Sequence, residues 1–173
     1  MDILVPQFSN SDVIHATGLD AATLQTWANR KIITPASEQT GPNLGAGARR
    51  LYSAENVLQI AFVGALVDAG VTPSEAVLVC DESIVREVRR TGRMPFEAIV
   101  RVFRERDYRG RHFDIFMPGY VHASSTEPAL PEMMTSLAHS GKAAIVIPTR
   151  KIEEAVMARL QEIIDGRATE NAE

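Results

Sequence analysis

Gln25 and Asn29 stand four residues apart. Each amide can donate and accept a hydrogen bond at once, which matches the donor and acceptor pair that adenine shows in the major groove. Thr23 and Thr26 add hydroxyls beside them, Arg30 adds a guanidinium, and Arg49 and Arg50 stand shortly before Tyr52. Guanidinium groups pair with phosphate oxygens through forked N–H donors. Between Arg86 and Arg111 there are nine arginines against Glu87, Glu97, Glu105 and Asp107, so one stretch of a chain with net charge -4 is locally basic. That stretch suits either a solvated surface or nucleic-acid contact.

Other chemistry-bearing residues are scattered. His15, His112, His122 and His139 have no metal-ligand spacing, and Cys80 is the single cysteine, so neither a zinc set nor an intrachain disulfide can form. Asn43-Leu44-Gly45-Ala46-Gly47 carries glycines but lacks the preceding strand and terminal lysine of a phosphate loop. No catalytic constellation, cofactor cradle or metal site is expected, and the chain reads as a binding protein rather than an enzyme.

The bulk properties agree with a folded protein of modest size. At 173 residues and 45% hydrophobic content the chain can bury a core. Its longest apolar runs, Ala61 to Val67 and Ala143 to Ile147, are far shorter than the roughly 20 residues a membrane-crossing helix needs. Asp2 stands where a signal peptide would carry positive charge, so a cytoplasmic protein with no membrane partner is expected.

The elements that must position these groups can be read in order. Asn10 or Ser11 caps a short helix over Asp12 to Ala16, and Thr17-Gly18-Leu19 breaks it, because glycine takes the positive φ of a tight turn. Asp20 caps a second helix, with Leu24 and Trp27 inward and Gln25, Thr26 and Asn29 outward, ending near Asn29 or Arg30. Two helices joined by such a turn outline a helix-turn-helix, whose second helix enters the major groove. From Thr34 to Leu51, Pro35, Gly41, Pro42, Gly45 and Gly47 punctuate a long loop or β-hairpin. Ser53 then caps a strong helix with Val57, Leu58, Ala61, Phe62, Ala65 and Leu66 on its stripe, stopped at Gly70. Thr72-Pro73-Ser74-Glu75 is a capping box with proline at the first helical position.

In this ordered set, Phe8 to about Val79 resembles the winged helix-turn-helix DNA-binding domain of MerR-like regulators. The resemblance rests on Thr17-Gly18-Leu19, Thr23-Leu24, Trp27, Ile32-Ile33-Thr34-Pro35, Arg50-Leu51-Tyr52-Ser53 and the long helix to Gly70. It implies double-stranded DNA as partner. Thr23, Gln25, Thr26, Asn29 and Arg30 would be contact residues on the recognition helix, and Arg49, Arg50 and Tyr52 on the wing, with Tyr52 alternatively packing beneath it. The family commonly has arginine where this chain has Gln25 and an aromatic where it has Thr26, so contacts there should differ.

The C-terminal half departs further. MerR-like regulators usually dimerise through one long helix, but Gly92, Pro95 and the turn Asp107-Tyr108-Arg109-Gly110 interrupt any such run here. Asp81 to Arg90 reads as a helix. Phe96 to Glu105 fits a helical face, yet its β-branched and aromatic content favours a hairpin with His112 to Met117. Pro131 to His139 reads as a helix, Ala143 to Ile147 as a buried strand, and Lys151 to Ile164 as an amphipathic helix whose stripe is a candidate dimer surface. The expected fold class is α+β: a winged helix-turn-helix domain over residues 1–80, a helical linker over 81–95, a small α+β dimerisation or sensing domain over 96–165, and a flexible tail over 166–173. The expected function is a homodimeric transcriptional regulator open to a small-molecule or protein effector. The alternative is an architectural or assembly protein, such as an excisionase or a phage-type DNA-packaging subunit, and a third reading is an interaction module that no longer binds DNA.

Overall fold

The computed structural model describes residues 4–39, 49–81, 98–104, 111–116 and 143–170. The chain divides into two compact units, residues 1–80 with 152–173, and residues 81–151.

The first unit opens with α1 (Asn10–Thr17) and α2 (Ala21–Asn29). Ser9 caps α1, one residue earlier than expected. It is the only nearby cap with a carboxylate three residues on, and Asp12 completes a reciprocal capping box with it. Gly18 ends α1 at φ 74, the left-handed conformation glycine adopts without a Cβ penalty. Asp20 caps α2 by accepting from the Thr23 amide at 2.9 Å. The end of α2 is unusual: Lys31 takes φ 56, while its amide donates to the Ala28 carbonyl and that of Ile32 to the Trp27 carbonyl. This is a Schellman motif with lysine in the place that normally holds glycine.

Strands β1 (Ser37–Gln39) and β2 (Arg49–Leu51) pair antiparallel, with Glu38 opposite Arg50. A bridge between Phe8 and Tyr52 ties the start of the chain to the end of β2. Helix α3 (Ala54–Asp68), capped by Ser53, is the centre of the unit. Val57, Leu58, Ile60, Phe62, Val63 and Leu66 are all buried, so α3 is covered on most sides. Ala61 and Ala65, expected on the inward stripe, are only half-buried. Helix α4 (Pro73–Val79) starts as expected, the Glu75 carboxylate accepting from the amide and hydroxyl of Thr72.

Helix α5 (Thr149–Glu170) changes the expected domain organisation. Its length beyond Ile152 belongs to the first unit, not to a separate domain over 96–165, because Val156 and Leu160 are buried and its arginines bind the α1 segment. Arg159 donates to the Ala16 carbonyl at 3.0 Å, and Arg167 donates to the Gln7 carbonyl at 3.1 Å and pairs with Asp12. Residues 166–170, expected to be a flexible tail, continue the helix.

The second unit contains a three-stranded sheet of order β4-β3-β5, formed by β3 (Ala98–Arg104), β4 (Arg111–Phe116) and β5 (Ala143–Ile147). Both pairings are antiparallel, with Arg101 opposite Asp114 on one side and Ala144 on the other. Within the expected Phe96 to Glu105 element, the residues of Ala98–Arg104 thus take the strand alternative and pair antiparallel with Arg111–Phe116. Apart from Asp81 itself, the helix expected over Asp81 to Arg90 and the linker expected over 81–95 lie outside the described residues, as do the helix over Pro131 to His139 and the glycine-rich tip Asn43 to Gly47.

Candidate nucleic-acid interface

Helix α2 sorts its side chains cleanly. Leu24 and Trp27 are buried, while Gln25, Thr26, Asn29 and Arg30 are exposed and Thr23 is half-buried in the first turn. At 3.6 residues per turn Ala22, Gln25, Thr26 and Asn29 share the side opposite the core, with Thr23 and Arg30 at its margin. A short helix held on two large apolar anchors therefore presents a polar arc.

Arg50, at the centre of β2, reaches that arc. Its Nη1 donates to Gln25 Oε1 at 3.4 Å and its Nη2 to Asn29 Oδ1 at 3.2 Å, while Gln25 Nε2 donates to Asn29 Oδ1 at 2.9 Å. The three side chains form a closed ring joining α2 to the ribbon. In exposed positions such bonds contribute little to stability, but they fix orientation.

Tyr52 takes the packing alternative expected for it. Tyr52 is fully buried, so its ring serves the core beneath the ribbon and cannot meet a phosphate. The cause is backbone pairing: the Gln7 and Phe8 amides donate to the Tyr52 carbonyl at 3.0 Å, and the Tyr52 amide donates to Phe8 at 2.8 Å, drawing the residue inward. Arg50, expected on phosphate, in a structural role or in both, engages the two amides of α2. The side chain of Arg49 lies outside the described residues.

Lys31 escaped the sequence reading. It is exposed directly after Asn29 and Arg30, and its positive φ places a cation where glycine would be easier to accommodate. The only sequence signal was the missing glycine after a helix that plainly ends there.

The electrostatics of the flanking caps favour ionised carboxylates. Burial pushes the Asp12 carboxyl up, but hydrogen bonds from the side chain and backbone of Ser9 and the Arg167 guanidinium outweigh it, and its pKa falls below the ordinary value. Hydrogen bonds from Thr23 hold Asp20 down likewise. His15 is exposed on α1. Among the described residues no group of three or more His, Cys, Asp or Glu could hold a metal ion, and no helix is long and apolar enough to cross a membrane. A cleft of about 450 Å³ lies between the α1–α2 turn, α3 and α5, with Gly64 and Ala65 on one wall and Ala155 and Arg159 on another.

Residues 8–83 match the family described as MerR HTH family regulatory protein. They form a MerR-like helix-turn-helix domain. The match takes in α1, α2, the ribbon, α3 and α4 of this MerR-like domain, and it stops before the three-stranded sheet and α5. A search of curated proteins finds no match to the chain.

Proposed function

We propose that the chain is a sequence-specific double-stranded DNA-binding transcriptional regulator, with α2 as the recognition helix in the major groove and the β1–β2 ribbon as a wing beside the phosphate backbone. The observation that carries this reading is the exposed polar arc of α2, joined by Arg50 of the ribbon, on a MerR-like domain. A net charge of -4 does not oppose it, because Arg30 and Lys31 at the end of α2 and Arg50 of the ribbon bring cations to the arc and its margin. The protein works by binding rather than catalysis, and within the cytoplasm.

Residues 81–151 form a small α+β module in this proposal, supported by the three-stranded sheet. That module pairs two copies, since one recognition helix of nine residues gives few base contacts and two-fold duplication is the usual remedy. Of the α5 stripe, Val156 and Leu160 are already buried within the chain, which favours the sheet-bearing module over α5 as the pairing surface. A small-molecule or protein effector would act through the same module.

The decisive experiment is genome-wide capture of DNA by the native protein followed by titration on the recovered sites. Promoter sites bound with selectivity support a regulator. Recovery confined to recombination or packaging sites, with higher-order assembly, would replace it by an architectural role, and no recovery would leave an interaction module. On a recovered site, Gln25→Ala and Asn29→Ala are each expected to cost about 1 to 3 kcal/mol of specific binding.

A further inference from the structure

The ring of Arg50, Gln25 and Asn29 determines which hydrogen-bonding groups the recognition helix can offer. A guanidinium has only donors, so the two side-chain atoms it meets must be the amide oxygens. That assignment leaves Gln25 Nε2 as the donor to Asn29, in agreement with their 2.9 Å separation. Asn29 Oδ1 consequently accepts twice and has no lone pair left, whereas Asn29 Nδ2 has no acceptor among the described residues. Gln25 has both ends of its amide engaged within the ring, its oxygen by Arg50 and its nitrogen by Asn29.

Reading adenine needs a donor and an acceptor side by side on one amide, and the ring removes the acceptor from Asn29. What remains to Asn29 is N–H. The base that offers two adjacent acceptors in the major groove is guanine, through N7 and O6. We propose that Arg50 is a specificity-determining residue which, with Gln25, converts the Asn29 amide into a donor-only group, so that the protein selects guanine where a free Asn side chain would select adenine. The inference rests on the DNA-binding reading and adds to it the class of base recognised. The sequence alone, with Gln25 and Asn29 taken singly, favoured adenine. The reversal comes from a wing residue that meets them only in the fold.

The test is selection of binding sites from randomised duplexes by the full-length protein, with Asn29→Ala locating the base positions under the ring as those where preference is lost. At these positions the parent is expected to prefer guanine over adenine. Arg50→Leu, which frees both amide oxygens, is expected to reduce that preference by about tenfold or to invert it, while Arg50→Lys, lacking the fork, restores it only in part. Within the parent's own site, replacing the guanine by 7-deazaguanine removes N7 and should weaken binding by about tenfold, whereas inosine, which keeps N7 and O6, should bind nearly as the parent does. The base-analogue arm needs no variant to fold. Adenine preference in the parent, or indifference to 7-deazaguanine, overturns the inference while leaving DNA binding intact. A parent that selects no duplex sequence overturns both.

Discussion

The guanidinium of Arg167 closes onto the carboxylate of Asp12, 155 residues earlier in the chain, and so fastens the last helix to the cap of the first. Asp12 already accepts from the Ser9 amide at 2.6 Å and the Ser9 hydroxyl at 2.7 Å. One carboxylate thus completes a helix cap and holds a long-range ion pair, both of which require it ionised. Asp12→Asn is expected to cost about 1 to 2 kcal/mol at neutral pH, as lost caps do. Arg167→Ala should cost less, about 1 kcal/mol, since its side chain is 42% exposed and screened by solvent. The folded-state pKa of Asp12 lies below its unfolded value, so the folded protein binds fewer protons there and this stabilisation is complete above the unfolded pKa of about 3.9. It is lost as pH falls through the folded pKa. Urea unfolding from pH 7 downward should show a steeper acid loss in the parent than in Asp12→Asn, and parallel curves would remove Asp12 from this role.

Leu160 is fully buried and Val156 nearly so, which makes α5 part of the core of the MerR-like unit. Leu160→Ala is expected to destabilise that unit by about 2 to 5 kcal/mol, read as a fall in the urea midpoint. A chain cut after Thr91 keeps every residue of the family match and still loses this cover. It should therefore unfold at lower temperature than the full chain and expose apolar surface to a hydrophobic dye. Equal melting of the two would show that α5 is dispensable.

Gly64 lies inside α3, and a Cβ built there meets nothing closer than the Leu19 Cδ1 at 4.0 Å. Gly64→Ala is expected to stabilise the chain by about 0.5 to 1 kcal/mol, because a helix interior favours alanine and the space is open. Thermal melting checks this directly. The added methyl also enters the cleft beside α5, so a loss of stability would mean that α3 and α5 approach more closely in solution.

Local signals were legible in the sequence, and long-range ones were not. Gly18, Asp20, Ser53 and Thr72 act within one turn of their own helix, so their types and spacing were enough to place α1 to α4. The strands over Ala98–Arg104 and Ala143–Ile147 could be read from their β-branched content. The two roles open to Tyr52 could not be separated from sequence, because its burial depends on a bridge to Phe8 far away in the chain. The helix over Lys151 to Ile164 was expected correctly as an amphipathic helix, but a stripe does not say what covers it. Its partner is α1, met through Arg159 and Arg167. For the candidate interface, the exposure of Gln25, Thr26, Asn29 and Arg30 followed from period alone. The aim of Arg50 required knowing where β2 lies beside α2.

Lys31 offers a separation of structure from recognition. Its φ of 56 is left-handed, a conformation that costs a residue with a Cβ about 1 kcal/mol or more relative to glycine. Lys31→Gly keeps the amide that donates to Ala28 at 3.1 Å and relieves the backbone, so thermal stability should rise by about 1 kcal/mol. The same substitution removes an exposed cation from the end of the proposed recognition helix. If that cation meets a phosphate, affinity should fall alike for specific and random duplexes, and the slope of log affinity against log salt should decrease by about one. Lys31→Arg keeps the charge and the strain, and is expected to change neither stability nor the salt slope. Stabilisation with an unchanged slope in Lys31→Gly would confine Lys31 to the helix end, and no stabilisation would show that the left-handed turn carries no strain.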